Sequence, residues 1–313
     1  MEFVFEKIKS LGTDAEIFIA FKNKIFAEEK INWAKKTLED FENKFSRFKK
    51  NSELSEFNNL KSGDFYASPI MIDIFKKCFE FHKITNGIFD PTIAEILENI
   101  GYNKSFDLLD RNLNLPDFNL KKIKENFSKK SDLSDLIIDE KKLIIKKPEN
   151  LKIDFGGIGK GYVVDLIADE FKKYFSDFWI SIGGDMFLSG KNNGKNWQID
   201  IQNPFDLAKN AISIEIKNKK AAVATSGISK RNWTINGINF HHIIDSKSGL
   251  PAESDVLLAT VISNNAASAD IFAKSIVIME TKKGLEFINR RNEAECLIID
   301  KGFNFYKSAK WNI

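Results

Sequence analysis

The feature that most restricts the fold is a run of glycines set between an apolar segment and a helical pattern. Leu151 to Phe155 read as a strand that enters Gly156-Gly157-Ile158-Gly159-Lys160-Gly161, and beyond it Val163, Val164, Ile167, Ala168 and Phe171 keep helical spacing. The glycines therefore fall on a strand-to-helix turn. Backbone N–H groups at such a turn point outward and the helix dipole favours anions, so the turn can cradle phosphate. It is not a P-loop, because Gly161-Tyr162 follows Lys160 where a Ser or Thr is needed, and the Rossmann spacing fails as well. A tight turn that lets the helix pack closely explains the same residues equally well, and spacing alone leaves both readings open.

Around this turn the chain alternates strands and helices. Short apolar segments over residues 2 to 27 predict a hairpin that turns at Lys22-Asn23-Lys24. Ile31, Trp33, Ala34, Leu38, Phe41 and Phe45 share one helical face, and Ile70 to Ile84 repeats that pattern until Gly87 closes it. A polar stretch from Asn103 to Ser134 leads to a second hairpin, Leu136 to Ile138 with Leu143 to Ile145. Strands follow at Trp179 to Leu188, Trp197 to Ile201, Ile212 to Ile216 and Ala221 to Ala224, then a hairpin at Asn236-Gly237 and a last helix, Ala266 to Met279. No repeat and no linker rich in Pro, Gly or Ser divides residues 1–313. The order predicts one compact α+β unit, mixed sheets with flanking helices, that can accommodate two lobes.

Composition excludes several function classes. The net charge of +3 is the balance of 47 basic and 44 acidic side chains with no long basic block, which argues against nucleic-acid binding. Cys78 and Cys296 are far apart in apolar contexts, so they read as core thiols rather than a disulfide or metal site. Met1 to Lys9 carries Glu2 and Glu6 and lacks the pattern of a secretory signal, and no apolar stretch reaches transmembrane length. The expectation is a cytoplasmic protein with no membrane insertion.

Few single residues carry chemistry by themselves. Asp270, at the start of the last helix, reads as dipole compensation when taken alone, although a carboxylate with nearby carbonyls can also hold magnesium beside a phosphorylated ligand. His82 lies in an apolar helix and reads as structural. His241 and His242 end a strand and point to opposite faces, so at most one faces a given cleft. A histidine near Asp245 could deprotonate an alcohol, and an exposed strand-end histidine is the plainer alternative. Asp90-Pro91 passes as a turn, Ser52-Glu53-Leu54-Ser55 as a helix start, and Ala224-Thr225-Ser226-Gly227 as a strand end.

Their order changes the judgement. Gly12-Thr13, Phe45-Ser46-Arg47-Phe48, Ser52-Glu53-Leu54-Ser55, Gly87-Ile88-Phe89-Asp90-Pro91-Thr92, Asp154 to Tyr162, Ser181-Ile182-Gly183-Gly184-Asp185, Ala224 to Gly227, His242 to Asp245 with Ser248-Gly249, and Ala269-Asp270 follow one another from residue 12 to residue 270. In that order they resemble the signatures of the ApbE-like flavin transferase family, the FAD:protein FMN transferases.

The resemblance implies that FMN passes from FAD to a Ser or Thr hydroxyl in the flavinylation motif of an acceptor protein, through a phosphoester bond, with release of AMP. It implies a flavin cleft between the two lobes and Mg²⁺ as cofactor, with Asp270 as the metal carboxylate and carbonyls near Ala273 and Gly157 assisting. His242, with Asp245, is then the candidate base. Phe45 and Phe48 match positions flanking the flavin ring, and Glu53, Asp90, Lys160, Asp185, Ser226, Gly227 and Asp245 match others lining the cleft.

One position departs from the pattern. Four residues beyond the aspartate the family usually has Thr, whose hydroxyl joins the metal; here Lys274 stands there, with Ser275 next. An ammonium cannot ligate magnesium, but it could contact the pyrophosphate directly. Two other uses of the same residues stay open: an FAD pyrophosphatase with water as acceptor, and a non-catalytic FAD-binding protein.

Overall fold

The computed structural model describes residues 2–311; Met1, Asn312 and Ile313, the ends of the single unit expected over 1–313, lie outside the described residues. The α+β class and the mixed sheets expected from the sequence are present. The chain divides into two compact units, one of Met1–Glu42, Ile158–Ser229 and Ser254–Ile313, the other of Asn43–Gly157 and Lys230–Glu253.

The first unit is built on an eight-stranded sheet whose strands neighbour one another in chain order: Glu2–Ser10, Thr13–Phe21, Phe178–Ile182, Asp185–Ser189, Lys220–Gly227, Val256–Ser263, Ala294–Asp300 and Phe305–Lys307. All seven pairings are antiparallel. Alternation along Lys220–Gly227 sends Ala221 and Val223 to one face and Ala222, Ala224 and Ser226 to the other. The first face packs with Leu188, Leu258, Ile262, Leu297 and Ile299 beneath the hairpin Trp197–Gln202 and Asn210–Ile216. The small residues of the opposite face give room for the helices Gly159–Phe171 and Ala266–Asn289, which pack against the sheet and each other. Val256–Ser263 is buried along almost its full length, in keeping with its largely apolar sequence.

The two helices meet at their first turns. A Cβ added to Gly161 would lie 2.6 Å from both the Ala266 carbonyl oxygen and the Ala267 Cα, so only glycine permits this approach. One turn on, the Asp165 carboxylate accepts from Ala266 N at 2.6 Å and Ala267 N at 2.9 Å, donors that a helix start leaves without internal partners. Close packing, one of the two readings of the glycine run, is thus realised at Gly161.

Burial raises the Asp165 carboxyl from 3.8 to about 6, against the lowering effect of those two N–H donors. Between these values the folded state keeps a proton that the unfolded chain has released. The stabilisation linked to that proton is therefore complete below about pH 4 and disappears as the pH rises through about 6, an effect of about 3 kcal/mol. Asp165→Asn, which cannot titrate, is expected to flatten this part of the curve in urea midpoints measured from acid to neutral pH.

The second unit holds a three-stranded sheet ordered Gly63–Tyr66, Ile144–Lys147, Ile137–Asp139, and another ordered Ile238–His241, Asn232–Ile235, Asn112–Leu113. Its helices include Glu53–Asn59, capped by Ser52, and Pro69–Ile84, capped by Ser68. Trp233, Ile235, Phe240, Ile96, Leu97 and Ile100 form one core, with the Trp233 indole N–H donating to the Ile100 carbonyl at 2.7 Å.

Several elements differ from expectation. The first hairpin turns at Leu11-Gly12, both with positive φ (53° and 66°), while Asn23 caps a helix, Lys24–Phe45, through its bond from Phe26 N. Trp179 to Leu188 is two strands, broken at Gly183-Gly184, where φ is 62° and 94°. Leu151 to Phe155 belongs to no ladder: Asn58 bonds both Ile153 N and Ile153 O at 2.8 Å, and Asp154 N donates to Pro91 O at 2.8 Å. A side-chain amide and one carbonyl take the place of a neighbouring strand. The polar stretch after Asn103 contains a helix, Leu120–Phe127, and the last helix resumes past a non-helical Glu280 to end at Asn289.

Cys78 and Cys296 are buried free thiols, as expected; burial pushes Cys296 up to about 12 and Cys78 well above its ordinary range. Among the described residues no helix is long and apolar enough to cross a membrane.

Candidate functional site

In the first unit, the junction of the two helices gathers four charged side chains. Lys160 is the second residue of its helix, and Asp270 and Lys274 stand one turn apart on the other, whose start Asn265 caps with a 2.8 Å bond from Ser268 N. Asp185 opens the strand that follows the Gly183-Gly184 turn. The Lys160 ammonium pairs with Asp185 Oδ2 and lies 4.0 Å from Asp270 Oδ1, which the Lys274 ammonium also contacts. Both carboxylates are enclosed, Asp270 at 0% and Asp185 at 1% exposure, whereas each lysine keeps 16% of its side chain accessible. A buried ion cluster of this kind needs nearly full charge pairing to be tolerated, and here two ammonium groups face two carboxylates. Ser226 is buried near the end of its strand, and a Cβ on Gly227 would meet the Leu257 carbonyl at 2.7 Å. Ala273 is fully buried on the Asp270 helix.

In the second unit, the Arg47 guanidinium Nε donates to Asp154 Oδ2 at 2.5 Å, and both side chains are largely buried. Arg47 Nη2 is buried without a hydrogen-bond partner among the described residues. The guanidinium also lies over the rings of Phe48, at 4.3 Å, and Tyr102, at 5.0 Å. Phe48 leaves 39% of its surface open, but Phe45 is a core residue packed edge-on against Phe155 at 5.8 Å. Gly157 stands where a Cβ would come 3.1 Å from the Phe89 ring. Asp90 Oδ1 accepts from Thr92 N at 2.8 Å and Oγ1 at 2.7 Å, while its Oδ2 faces the Lys130 ammonium at 3.0 Å. Glu53 accepts from Ser68 N at 2.5 Å and Oγ at 2.7 Å, so its carboxylate fastens the start of a helix.

The two adjacent histidines differ in what holds them. His241 Nδ1 accepts from Ile243 N at 3.3 Å and Nε2 faces the Ala252 carbonyl at 3.2 Å, which ties the ring to backbone at both nitrogens. His242 is half-buried just beyond the strand end, with its Nδ1 enclosed. Asp245 Oδ1 accepts from Lys247 N at 3.0 Å, and the Asp245 carbonyl accepts from Gly249 N at 2.9 Å, closing the turn below. His82 Nδ1 lies 3.0 Å from Phe89 O, a structural contact in keeping with the sequence reading.

The donor set can be tested against a divalent ion. Asp270 offers one buried oxygen, Oδ2, with no hydrogen-bond partner among the described residues, while its Oδ1 carries an ammonium. No group of three or more His, Cys, Asp or Glu converges among the described residues. Magnesium asks for near-octahedral oxygen donors, and a dication on Asp270 would sit against a cation on the same carboxylate. With Lys274 in that place the residues do not fit a resident Mg²⁺.

Sequence reading missed Arg47, although it stands in the Phe45-Ser46-Arg47-Phe48 motif; its partner Asp154 precedes the glycine run, and nothing local links the two. Lys130 and Asp165 were also missed, both being lone charges inside ordinary helical or polar stretches.

Fold and site together define an α+β protein whose antiparallel sheet and paired helix starts carry a lysine–carboxylate cluster beside a glycine turn. The chain belongs to the ApbE family, whose family model matches residues 11–298. A protein of Buchnera aphidicola subsp. Schizaphis graminum called FAD:protein FMN transferase is 28% identical over 303 residues, covering 96% of this chain and 86% of its own. One of the same name from Escherichia coli K12 is 25% identical, over 83% and 74% of the two chains. The crystal structure of the ApbE protein of Thermotoga maritima superimposes with a TM-score of 0.86 at 25% identity, covering 98% of this chain and 97% of its own. The fold is shared as well with the flavin transferase ApbE of Vibrio cholerae, at a TM-score of 0.81 and 24% identity, over 98% and 97% of the chains.

Proposed function

We propose that this chain transfers FMN from FAD to a Ser or Thr hydroxyl of an acceptor protein through a phosphoester bond and releases AMP. The observation that carries the reading is the buried pairing of Lys160 and Lys274 with Asp185 and Asp270 where two helices meet the strand opened by Asp185, in a chain whose relatives bear the name FAD:protein FMN transferase. Ammonium groups held on buried carboxylates are fixed in place before a ligand arrives, as stabilising the charge that develops on a pyrophosphate requires.

In this reading the acceptor oxygen attacks the FMN-side phosphorus and the bridging P–O bond breaks, so that AMP leaves with the bond's electron pair. His242 takes the proton from the attacking hydroxyl, and Asp245 orders the turn that follows it. Lys160 and Lys274 carry the negative charge of the pyrophosphate, while Asp185 and Asp270 hold the two ammonium groups. Phe48 offers an open aromatic face for a ring and Phe45 supports it from the core. Glu53, Asp90, Gly157, Ser226 and Gly227 keep the roles that the resemblance gives them in shaping the FAD site. The Mg²⁺ implied by the resemblance, with Asp270, Ala273 and Gly157 as ligands, takes no step here, because Asp270 already bears an ammonium.

The test is to incubate purified protein with FAD, with and without a peptide that carries a Ser/Thr flavinylation motif, and to separate the products. AMP together with peptide-bound FMN is the expected result. AMP with free FMN alone would make the protein a pyrophosphatase, and intact FAD would make it a carrier.

A further inference from the structure

We infer that Lys274 supplies the positive charge a divalent ion would otherwise bring, so that this chain holds the FAD pyrophosphate through Lys160 and Lys274 with no metal ion. The inference rests on the FAD reading above and concerns what stands opposite the phosphates. Lys274 follows Asp270 by one helical turn, on the same face, and its ammonium contacts Asp270 Oδ1. Lys160 comes from the other helix and reaches the same oxygen at 4.0 Å while pairing with Asp185. The cluster is therefore neutral before any ligand binds. A dication added to Asp270 would have to expel Lys274 into a space where little water can stabilise the displaced charge, or share a carboxylate with it against direct repulsion.

A pyrophosphate meets no such obstacle. An ammonium carries three donors on a rotatable stem, so a lysine held by a carboxylate can also turn a donor toward a phosphate oxygen. The lysines are the members of the cluster that retain access, 16% of each side chain, whereas the carboxylates behind them are closed off. The accessible members of the cluster are thus its two cations, so a pyrophosphate that approaches it meets the lysines before the carboxylates. The stem of lysine is flexible enough to follow the phosphate oxygens, which a metal held in fixed octahedral geometry cannot do.

The experiment is FAD binding by flavin fluorescence, on full-length protein stripped with EDTA and on the same protein given Mg²⁺. The two affinities are expected to agree within about threefold, and titration of Mg²⁺ into the FAD complex should show no stoichiometric uptake. Lys274→Met should weaken FAD binding by about ten- to a hundredfold, through loss of charge-assisted hydrogen bonds, and Mg²⁺ should not restore it. Lys274→Thr should weaken binding in EDTA and recover it with Mg²⁺, because it removes the ammonium from Asp270 and also adds a hydroxyl oxygen ligand, which Met lacks. Thermal melts of each variant separate lost binding from lost folding.

Wild-type affinity that collapses in EDTA and returns with one equivalent of Mg²⁺ would overturn the inference and leave the FAD reading intact. Folded Lys274→Met that binds FAD like wild type in EDTA would overturn it too. Absence of FAD binding under every condition would instead refute the FAD reading, and the inference with it.

Discussion

Replacing His242 by Ala is expected to slow FMN transfer to the acceptor by about 10²- to 10⁴-fold, the usual contribution of a positioned general base. FAD affinity should change little, because the residues assigned to the pyrophosphate are Lys160 and Lys274. His242 is the histidine of the His242 to Asp245 signature, half-buried just beyond its strand end, whereas the neighbouring His241 ring is tied to Ile243 N and Ala252 O. The measurement is single-turnover transfer with enzyme and acceptor in excess over FAD, beside FAD binding by fluorescence. A variant that transfers at the wild-type rate would remove His242 from the chemistry. Loss of binding together with transfer would make it a structural residue.

The second large effect concerns Gly161. Gly161→Val is expected to cost about 3 kcal/mol or more, because overpacking against backbone cannot be relieved by a rotamer change. The atoms a side chain would meet are the Ala266 carbonyl oxygen and the Ala267 Cα, both at 2.6 Å from the Cβ position. To make room, the two helix starts must separate, which pulls Asp165 from Ala266 N and Ala267 N and draws Lys160 away from Asp270. A domain with a total stability of about 5–15 kcal/mol has little margin for this. Urea unfolding followed by circular dichroism should show a much lower midpoint, with FAD binding weakened in any protein that remains folded. An unchanged midpoint would mean that the helix junction yields more easily than its contacts suggest.

How far the sequence led depends on the kind of signal. Helical periodicity placed Pro69–Ile84 and Gly159–Phe171 well, since both bury an apolar face and have local punctuation, Ser68 and Gly87 for the first and the glycine run for the second. Asn236-Gly237 marked its hairpin because both residues adopt the positive φ that the turn requires. Leu11 does the same without belonging to the residue types that announce a turn, so the first hairpin was expected too late in the chain. Leu151 to Phe155 looked like a strand because burial, rather than pairing, made it apolar. The groups that satisfy its backbone, Asn58 and Pro91, lie far away in sequence.

The site was legible in a similar measure. Asp270 and Lys274 stand at helical neighbours' spacing, so their contact follows from sequence once the helix is recognised. Lys160 meeting Asp185, and Arg47 meeting Asp154, depend on tertiary placement that no local pattern encodes. The glycine run offered phosphate binding or close packing on equal terms. Gly161 realises the packing, and the phosphate role now rests on the lysines that this packing brings together.

The most direct test of the central claim is the intact mass of a purified acceptor protein after incubation with this chain and FAD, followed by fragmentation to locate the change. The account predicts an added FMN on one Ser or Thr, abolished when that residue is Ala, with one AMP released per modified acceptor. An acceptor of unchanged mass while FAD is consumed to FMN and AMP would contradict it.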